Sequence, residues 1–211
     1  MTKITIIAIS GASASGKSLL AETVYKELLP DLGINGITVL KEDSYYRAQD
    51  HLPMDERKET NYDHPNAFDH ELLVEHLDEL MAGNTIRCPV YCYSTHTRKT
   101  EVIELKPANV LIVEGILLLS NKNLLDRFDI KVYMDTPLDL CLIRRIQRDV
   151  LERGRSLDSI IKQYSETVRP MFYQFIEPSK SRADISISRG GKNRVAIDLL
   201  KVKINQLSKL G

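Results

Sequence analysis

Short apolar runs alternate along the chain with stretches in which apolar residues recur every three or four positions. Continuous runs of this length are typical of buried strands, and the longer period is typical of amphipathic helices. The runs predict strands at residues 4–10, 37–41, 109–114, 130–135 and 184–188. Strands that alternate with helices indicate an α/β fold, with a parallel sheet of about five strands covered by helices.

The first half of the chain contains two predicted helices. The helix over residues 17–29 is expected to end at Pro30, because proline has no amide hydrogen to donate. The helix over residues 71–81 is expected to start after Asp69, whose carboxylate can cap the first turn, and to stop at Gly83. Its apolar stripe would consist of Leu73, Leu77 and Leu80.

Two further helices are predicted towards the C-terminus. One begins at Thr136 and Pro137, and Asp139 follows the threonine by three positions, as in a capping box. The other covers residues 193–207 and has an apolar face made of Val195, Leu199 and Val202.

One stretch, residues 85–105, interrupts the alternation. It is rich in Tyr, Thr, Val and Ile, contains Pro89, and has polar turn residues at 97–100. This combination predicts a β-hairpin. A chain of 211 residues suits a single domain. We therefore expect one domain over residues 1–211, with residues 85–105 inserted as a flap.

Composition excludes some classes of partner. The chain has 29 basic and 29 acidic side chains and a net charge of zero, which argues against a nucleic-acid or polybasic membrane partner. We see no apolar run long enough for a signal peptide or a membrane span. The three cysteines match no zinc spacing and are expected to be reduced thiols. A cytoplasmic location is therefore predicted.

The charges are unevenly distributed, however. Residues 42–79 contain 12 acids and 3 bases, whereas residues 144–155 contain 5 arginines and 2 acids. All five histidines and five of the nine tyrosines lie between residues 45 and 96. The acidic segment with its Tyr and His residues suits a neutral acceptor and a metal ion. The arginine-rich segment suits a triphosphate.

Residues 11–18 read GASASGKS and fit the Walker A pattern G-x-x-x-x-G-K-[ST]. The pattern follows a predicted strand and opens a predicted helix, which is the context of phosphate-binding loops. Lys17 would contact the β- and γ-phosphates of a donor, and the Ser18 hydroxyl would bind Mg²⁺. The residues assigned to the donor are Gly11, Ala12, Ser13, Ala14, Ser15, Gly16, Lys17 and Ser18.

Two acidic residues lie where predicted strands end. Asp43 follows the strand over 37–41, and Glu114 ends the strand over 109–114. The carboxyl ends of parallel strands form the ligand-binding edge of such sheets. Phosphoryl transfer to an alcohol needs an acid beside the acceptor and an acid near Mg²⁺, so both carboxylates are candidates for that chemistry. A GTPase is not indicated, because Leu124 stands where the N-K-x-D motif from Asn121 requires aspartate.

Seven motifs span nearly the whole chain: GASASGKS, EDSYYR from Glu42, NYDHPNAFD from Asn61, PVYCYSTHTR from Pro89, VEGIL from Val113, RRIQRDVLERGR from Arg144, and QY at Gln163. Together and in this order they resemble the uridine kinase (uridine–cytidine kinase) family of P-loop nucleoside kinases. The resemblance implies a P-loop NTPase fold with a β-hairpin flap and an arginine-rich helical lid over residues 137–165. It also implies Mg-dependent phosphorylation of uridine and cytidine by ATP or GTP in pyrimidine salvage.

The resemblance further implies roles for single residues. Asp43 would act as general base on the ribose 5′-hydroxyl, and Lys17, Arg148 and Arg153 would neutralise the transferred phosphoryl group. Lys192 would lie near the adenine end of the donor. Mg²⁺ would be held by Ser18, Glu114 and Asp43. The nucleoside would be held by Tyr46, Asp63, Tyr91, His96, Arg145, Arg155 and Gln163. A homotetramer with CTP as feedback inhibitor is also implied.

The chain departs from the family pattern at Cys92, where the family has Asp. Two alternatives stay open at this point. One is a P-loop kinase for another alcohol, resembling phosphoribulokinase or pantothenate kinase, although the acidic segment 42–79 disfavours an anionic acceptor. The other is a nucleotide-binding module without catalysis, which the presence of both Asp43 and Glu114 disfavours.

Overall fold

The structure is a computed structural model that describes residues 4–208. Its strands are β1 (Thr5–Gly11), β2 (Ile37–Lys41), β3 (Ile86–Cys92), β4 (Thr97–Leu105), β5 (Val110–Gly115), β6 (Ile130–Met134) and β7 (Ile185–Ile187). Five of them form a parallel sheet in the order β2–β5–β1–β6–β7, and β3 pairs with β4 in an antiparallel hairpin. The predicted α/β fold is confirmed, and no predicted strand of the parallel sheet is displaced by more than one residue at either end.

The helices are α1 (Lys17–Leu32), α2 (Met54–Glu59), α3 (His70–Met81), α4 (Lys122–Leu125), α5 (Leu138–Leu151), α6 (Leu157–Gln163), α7 (Arg169–Met171), α8 (Glu177–Ser179) and α9 (Arg194–Ser208). Wider π turns at Tyr164–Val168 and Phe172–Ile176 join α6, α7 and α8 into an irregular helical stretch. The sequence-based assignment does not include these helices. In the structure Pro170 and Pro178 are each the second residue of a short α-helical segment that directly follows a π turn.

The sheet is buried on both faces. All seven residues of β1 are buried, as expected for a central parallel strand. One face packs against α1 and α9, and the other packs against α3 and the loop that follows β5. Leu73, Leu77 and Leu80 are fully buried on the second face, and Asp69 caps α3 by accepting from the amide of Leu72. The predictions for this helix are therefore confirmed.

Two predicted helix ends are wrong. Helix α1 continues through Pro30 to Leu32, because the proline lies in the last turn and Gly33 N–H closes that turn on Leu29 O at 2.9 Å. Helix α5 has no capping box. The Thr136 hydroxyl instead donates to Ser15 O in the phosphate loop, at 2.9 Å. The Thr136 side chain therefore makes a tertiary contact instead of the helix cap that the local sequence pattern predicted.

The apolar face predicted for the last helix is not its buried face. Ile197, Leu200 and Ile204 face the core, whereas the side chains that the sequence pattern grouped together are exposed by 65–70%: Val195, Leu199 and Val202. The hairpin prediction is right about the strands but misplaces the turn, which lies at residues 93–96 rather than 97–100. None of the helices described between residues 4 and 208 is long and apolar enough to cross a membrane.

Candidate active site

The phosphate loop joins β1 to α1 and depends on two glycines. Gly11 and Gly16 have φ values of +141° and +101°, which disfavour residues with a Cβ. A Cβ on Gly16 would also lie 2.7 Å from the amide nitrogen of Gly191. The loop is therefore held between its own strand and the 3₁₀ turn Gly190–Lys192. This packing fixes the backbone that would surround a phosphate.

Lys17 begins α1 and is almost completely buried. Its Nζ donates to Ala12 O at 2.9 Å, so the ammonium lies across the mouth of the loop. Burial lowers the pKa of Lys17, while the negative charges of Glu114 and Asp43 act in the opposite direction. The structure thus brings the predicted lysine and both predicted carboxylates into one electrostatic neighbourhood, where an anionic phosphate would be stabilised.

Ser18 and Glu114 form the other wall of the loop. The Ser18 hydroxyl donates to Glu114 Oε1 at 2.9 Å. Burial raises the pKa of Glu114, and Lys17 opposes that shift. Within residues 4–208 no three His, Cys, Asp or Glu side chains form a ready-made metal cage. A hydroxyl and one or two carboxylates nevertheless fit Mg²⁺, which takes its other ligands from phosphates and water.

Asp43 lies in the 3₁₀ turn Glu42–Tyr45, directly after β2. Its neighbour Glu42 is completely buried and anchors this turn. Glu42 Oε2 accepts from Leu117 N–H at 2.9 Å, and Oε1 is 2.8 Å from His70 Nε2. The Asp43 carboxylate is half-buried and accepts from the Tyr93 hydroxyl at 2.5 Å. The strand end is therefore a fixed platform for Asp43, as the sequence indicated.

The region next to Asp43 is lined by aromatic rings from the flap and from the segment after β2. The Tyr46 ring lies 4.8 Å from that of Tyr91, and the Tyr62 ring stacks on His96 at 5.4 Å. The Tyr91 hydroxyl is buried without a hydrogen-bond partner in the described part of the chain. Burial lowers the pKa of His96 below its usual 6.5, which favours the neutral form of the ring. Rings and unused polar atoms of this kind suit a flat, uncharged base.

Asp63 lies deep in this region and is 5% exposed. Burial raises its pKa, and the charge of Arg145 opposes the shift. A cleft between the phosphate loop and α5 is lined by Ser13, Asp63 and Arg145, and also by Tyr164 and Phe172. No described residue donates a side-chain hydrogen bond to the Asp63 carboxylate. A buried carboxylate without a protein donor is suited to accept hydrogen bonds from the hydroxyls of a ligand.

Four arginines surround Asp149, whose side chain is fully buried on α5. We call these five residues the arginine cluster. Arg148 Nε donates to Asp149 Oδ1 at 2.9 Å, and the other three guanidinium groups lie 3.4–3.7 Å from the carboxylate. Gln163 Oε1 accepts from Arg145 and Arg155 at 2.9 and 2.6 Å. The complete set of arginines is Arg145, Arg148, Arg153 and Arg155.

Arg145 connects the arginine cluster to the phosphate loop, because its NH1 donates to Ser13 Oγ at 3.2 Å. The residues predicted from the sequence, except Lys192, lie in the phosphate loop, at the ends of β2 and β5, in the aromatic region next to Asp43, or in and beside the arginine cluster. Lys192 is exposed on the 3₁₀ turn that packs against Gly16, and no contact with the cleft places its side chain there.

Cys92, the departure from the family pattern, bonds within the hairpin turn. Its Sγ lies 3.1 Å from Ser94 Oγ. Hydrogen bonds from Ser94 and Thr95 lower the pKa of the thiol to about 6.

Three residues of the site escaped the sequence-based prediction. Asp149 and Tyr93 lie inside the motifs that resemble the family, but nothing in their spacing shows that they contact the arginines and Asp43. Tyr62 lies in the NYDHP motif and was not singled out. Each contact joins residues that are close only in the folded chain, apart from the Asp149 pairs with arginines one to six positions away.

A Walker A loop on a five-stranded parallel sheet, with carboxylates at the ends of β2 and β5 and arginines above the loop, defines a P-loop kinase. The sequence model of the family described as "Phosphoribulokinase / Uridine kinase family" matches residues 6–196. The chain belongs to this family.

The similarity of the chain to individual proteins gives more detail than the family model does. The chain is 62% identical over 202 residues to a uridine kinase of Proteus mirabilis, covering 96% of this chain and 95% of the relative. It is 60% identical over 202 residues to a uridine kinase of Shewanella piezotolerans, with the same coverage. The fold resembles that of phosphoribulokinase from Rhodobacter spheroides, with a TM-score of 0.67, 17% identity and coverage of 89% of this chain and 71% of that chain.

Proposed function

We propose that the protein transfers the γ-phosphoryl group of ATP or GTP to the 5′-hydroxyl of uridine and cytidine, giving UMP and CMP for pyrimidine salvage. The observation that carries the proposal is the 62% identity to a uridine kinase over 95% of that protein's length. The aromatic acceptor region supports it, because the Tyr46–Tyr91 and Tyr62–His96 ring contacts provide flat apolar faces on which a base can stack.

The donor side binds and orients the triphosphate. The loop backbone presents amide N–H groups at the start of α1, and Lys17 neutralises the β- and γ-phosphates. Arg148 and Arg153 approach from the arginine cluster and neutralise charge that develops on the transferred group. Ser18 and Glu114, with Asp43, would hold Mg²⁺, which shields the donor phosphates when it is bound.

The acceptor side places the nucleoside hydroxyl in line with the phosphate. Asp63 accepts hydrogen bonds from the ribose hydroxyls, while Tyr91 and His96 contact the base. Asp43 orients the 5′-hydroxyl and takes its proton as the new P–O bond forms. Closure of the residues 137–165 over the donor excludes water, which would otherwise compete as acceptor.

Substitution of Asp43 tests this assignment. Asp43→Asn keeps the shape of the side chain, and we expect nucleotide binding to persist while turnover of uridine falls at least ~100-fold. Asp55→Asn is the matched control, because the Asp55 side chain is 98% exposed on α2. Unchanged turnover in Asp43→Asn would remove the role given to Asp43.

A scan of acceptors tests the substrate class. Wild-type protein is assayed with ATP and GTP against uridine, cytidine, ribulose 5-phosphate and pantothenate. We expect turnover of the two nucleosides only. If neither nucleoside is phosphorylated, the proposed function fails, and turnover of a sugar phosphate would identify the kinase for another alcohol.

We further propose a cytoplasmic homotetramer that CTP inhibits. The exposed stripe of Val195, Leu199 and Val202 on α9 supports association, since a contiguous apolar surface favours burial against another chain. Light scattering of the wild type and of Leu199→Glu tests it. The substitution is expected to reduce the mass to that of smaller species if this face is an interface, and CTP titration of the uridine assay tests the inhibition.

A further inference from the structure

The roles described above for the phosphate loop and for the aromatic rings of the acceptor region do not account for the position of Tyr93. It is the first residue of the flap turn and is 44% exposed. Its hydroxyl nevertheless reaches across to Asp43 and donates to Oδ2 at 2.5 Å. A short hydrogen bond between a phenol and a carboxylate is among the stronger kinds in proteins.

The Tyr93 ring is held from two sides. The guanidinium carbon of Arg153 lies 4.5 Å from the ring centroid, within the range of a cation–π contact. The ring of Tyr91 meets it edge-on at 5.3 Å. The flap, the arginine cluster and the turn that carries Asp43 therefore meet at this one side chain.

The two oxygens of the Asp43 carboxylate differ in their hydrogen bonding. Oδ2 accepts from Tyr93, whereas no residue in the described range 4–208 donates to Oδ1. A carboxylate held by one oxygen keeps a fixed orientation, and its second oxygen is left for a ligand. Because the hydrogen bond from Tyr93 is already formed, the Asp43 carboxylate does not have to be reoriented during the reaction.

We propose that Tyr93 is a positioning residue that fixes Asp43 through Oδ2 so that Oδ1 receives the proton of the acceptor hydroxyl. This inference rests on the proposed function, because it assigns a partner to the proposed general base. In the transfer step, the acceptor oxygen forms its bond to the γ-phosphorus while the bond from that phosphorus to the β–γ bridging oxygen breaks. The proton passes to Oδ1, and Tyr93 keeps its own proton throughout.

Tyr93→Phe tests the inference by removing one oxygen and keeping the ring beneath Arg153. Because a hydrogen bond to a charged group is lost, we expect kcat for uridine to fall about tenfold, with KM values for uridine and ATP changed less than about twofold. Tyr173→Phe is the matched control. Tyr173 is 53% exposed and also lies below an arginine, Arg169, but does not contact Asp43.

A double-mutant cycle separates positioning from general structural support. If Tyr93 acts through Asp43, Tyr93→Phe should change the residual turnover of Asp43→Asn less than about twofold. An equal loss in both backgrounds would overturn the inference. A lower KM for uridine with unchanged kcat would also overturn it, because Tyr93 would then compete with the acceptor for Asp43. Unchanged kinetics in Tyr93→Phe would have the same consequence.

A measurement without turnover keeps this test separate from that of the proposed function. Protein labelled with ¹³C at the tyrosine Cζ gives a Tyr93 resonance, identified by its loss in Tyr93→Phe. It should shift in Asp43→Asn and stay in place in Asp55→Asn. A Tyr93 resonance that does not shift in Asp43→Asn overturns the inference even if uridine is phosphorylated. If wild-type protein phosphorylates no nucleoside, the proposed function fails, and the resonance alone then decides whether Tyr93 holds Asp43.

Discussion

Two regions of the molecule are proposed to contact the donor phosphates, and they are built in different ways. The phosphate loop consists of eight consecutive residues and uses backbone amides whose directions are set by β1, α1 and the glycines. The arginine cluster uses side chains from α5 and from the turn between α5 and α6, and it is organised by the buried Asp149. The comparison shows that a phosphate site can be stabilised by backbone geometry or by a balance of buried charge. The two kinds should fail in different ways when they are changed.

The largest effect is expected in the backbone-built region. Gly16→Ala adds a Cβ at φ +101° and 2.7 Å from Gly191 N, so the loop must distort. We expect turnover of uridine to fall roughly 10³-fold, because several amide donors are displaced together. The measurement is kcat/KM for ATP at saturating uridine.

Gly33→Ala is the matched control for this prediction. Gly33 also has a positive φ, +75°, but nothing lies within 4 Å of the added Cβ. It should lower the free energy of unfolding by about 1–3 kcal/mol and leave turnover unchanged. Equal activities of the two variants would show that the fixed loop backbone is not what the donor site requires.

An intermediate effect is expected for a substitution in the arginine cluster. Asp149→Asn removes the buried carboxylate and leaves the guanidinium groups to repel one another. We expect kcat to fall roughly 10–100-fold. The free energy of unfolding should fall by about 2–3 kcal/mol, towards the lower end for a broken buried ion pair because three of the arginines are partly exposed. Kinetics and denaturant unfolding measure the two effects.

The double variant Asp149→Asn with Arg153→Gln sharpens the prediction. It restores the charge balance, so part of the lost stability should return, whereas the lost turnover should not, because Arg153 is itself proposed to contact the phosphoryl group. Asp158→Asn, at an exposed position on α6, is the control. A fully stable Asp149→Asn protein would contradict the view that charge balance organises this region.

The smallest effect is expected away from both regions, on α1. Glu27 accepts from Arg194 and Lys201 of α9, and these bonds lower its pKa from 4.5 to about 2. A lowered pKa in the folded state stabilises the fold above pH 4.5, and this contribution is lost as the pH falls from about 4.5 towards 2. Glu27→Gln should therefore have a lower Tm than wild type at pH 7, and the difference should shrink over that acid range.

Turnover of uridine by Glu27→Gln should equal that of the wild type, since Glu27 touches neither phosphate-facing region. Glu22→Gln serves as control, because Glu22 pairs with Lys26 on the same helix and is 59% exposed. A Tm difference that persists unchanged to pH 2 would contradict the pairing of Glu27.

The sequence by itself determined the order of the strands, the helices α1, α3, α5 and α9, the phosphate loop, and the placement of Asp43 and Glu114 at the ends of strands. These features depend on residues that are close together along the chain, such as the glycines of one turn or the acid that follows one strand. The apolar periodicity also predicted α3 correctly, since a single helix face decides which leucines are buried.

Only the tertiary structure decided which side chains meet across elements. In the folded chain Thr136 bonds to the phosphate loop instead of capping a helix, and Tyr93 bonds to Asp43. The side chains of Val195, Leu199 and Val202 are exposed on α9. The physical reason is that each of these outcomes depends on contacts between residues 50 or more positions apart, or on which face of a helix its neighbours cover. Local spacing cannot specify such contacts, because they exist only once the sheet has brought the strand ends together.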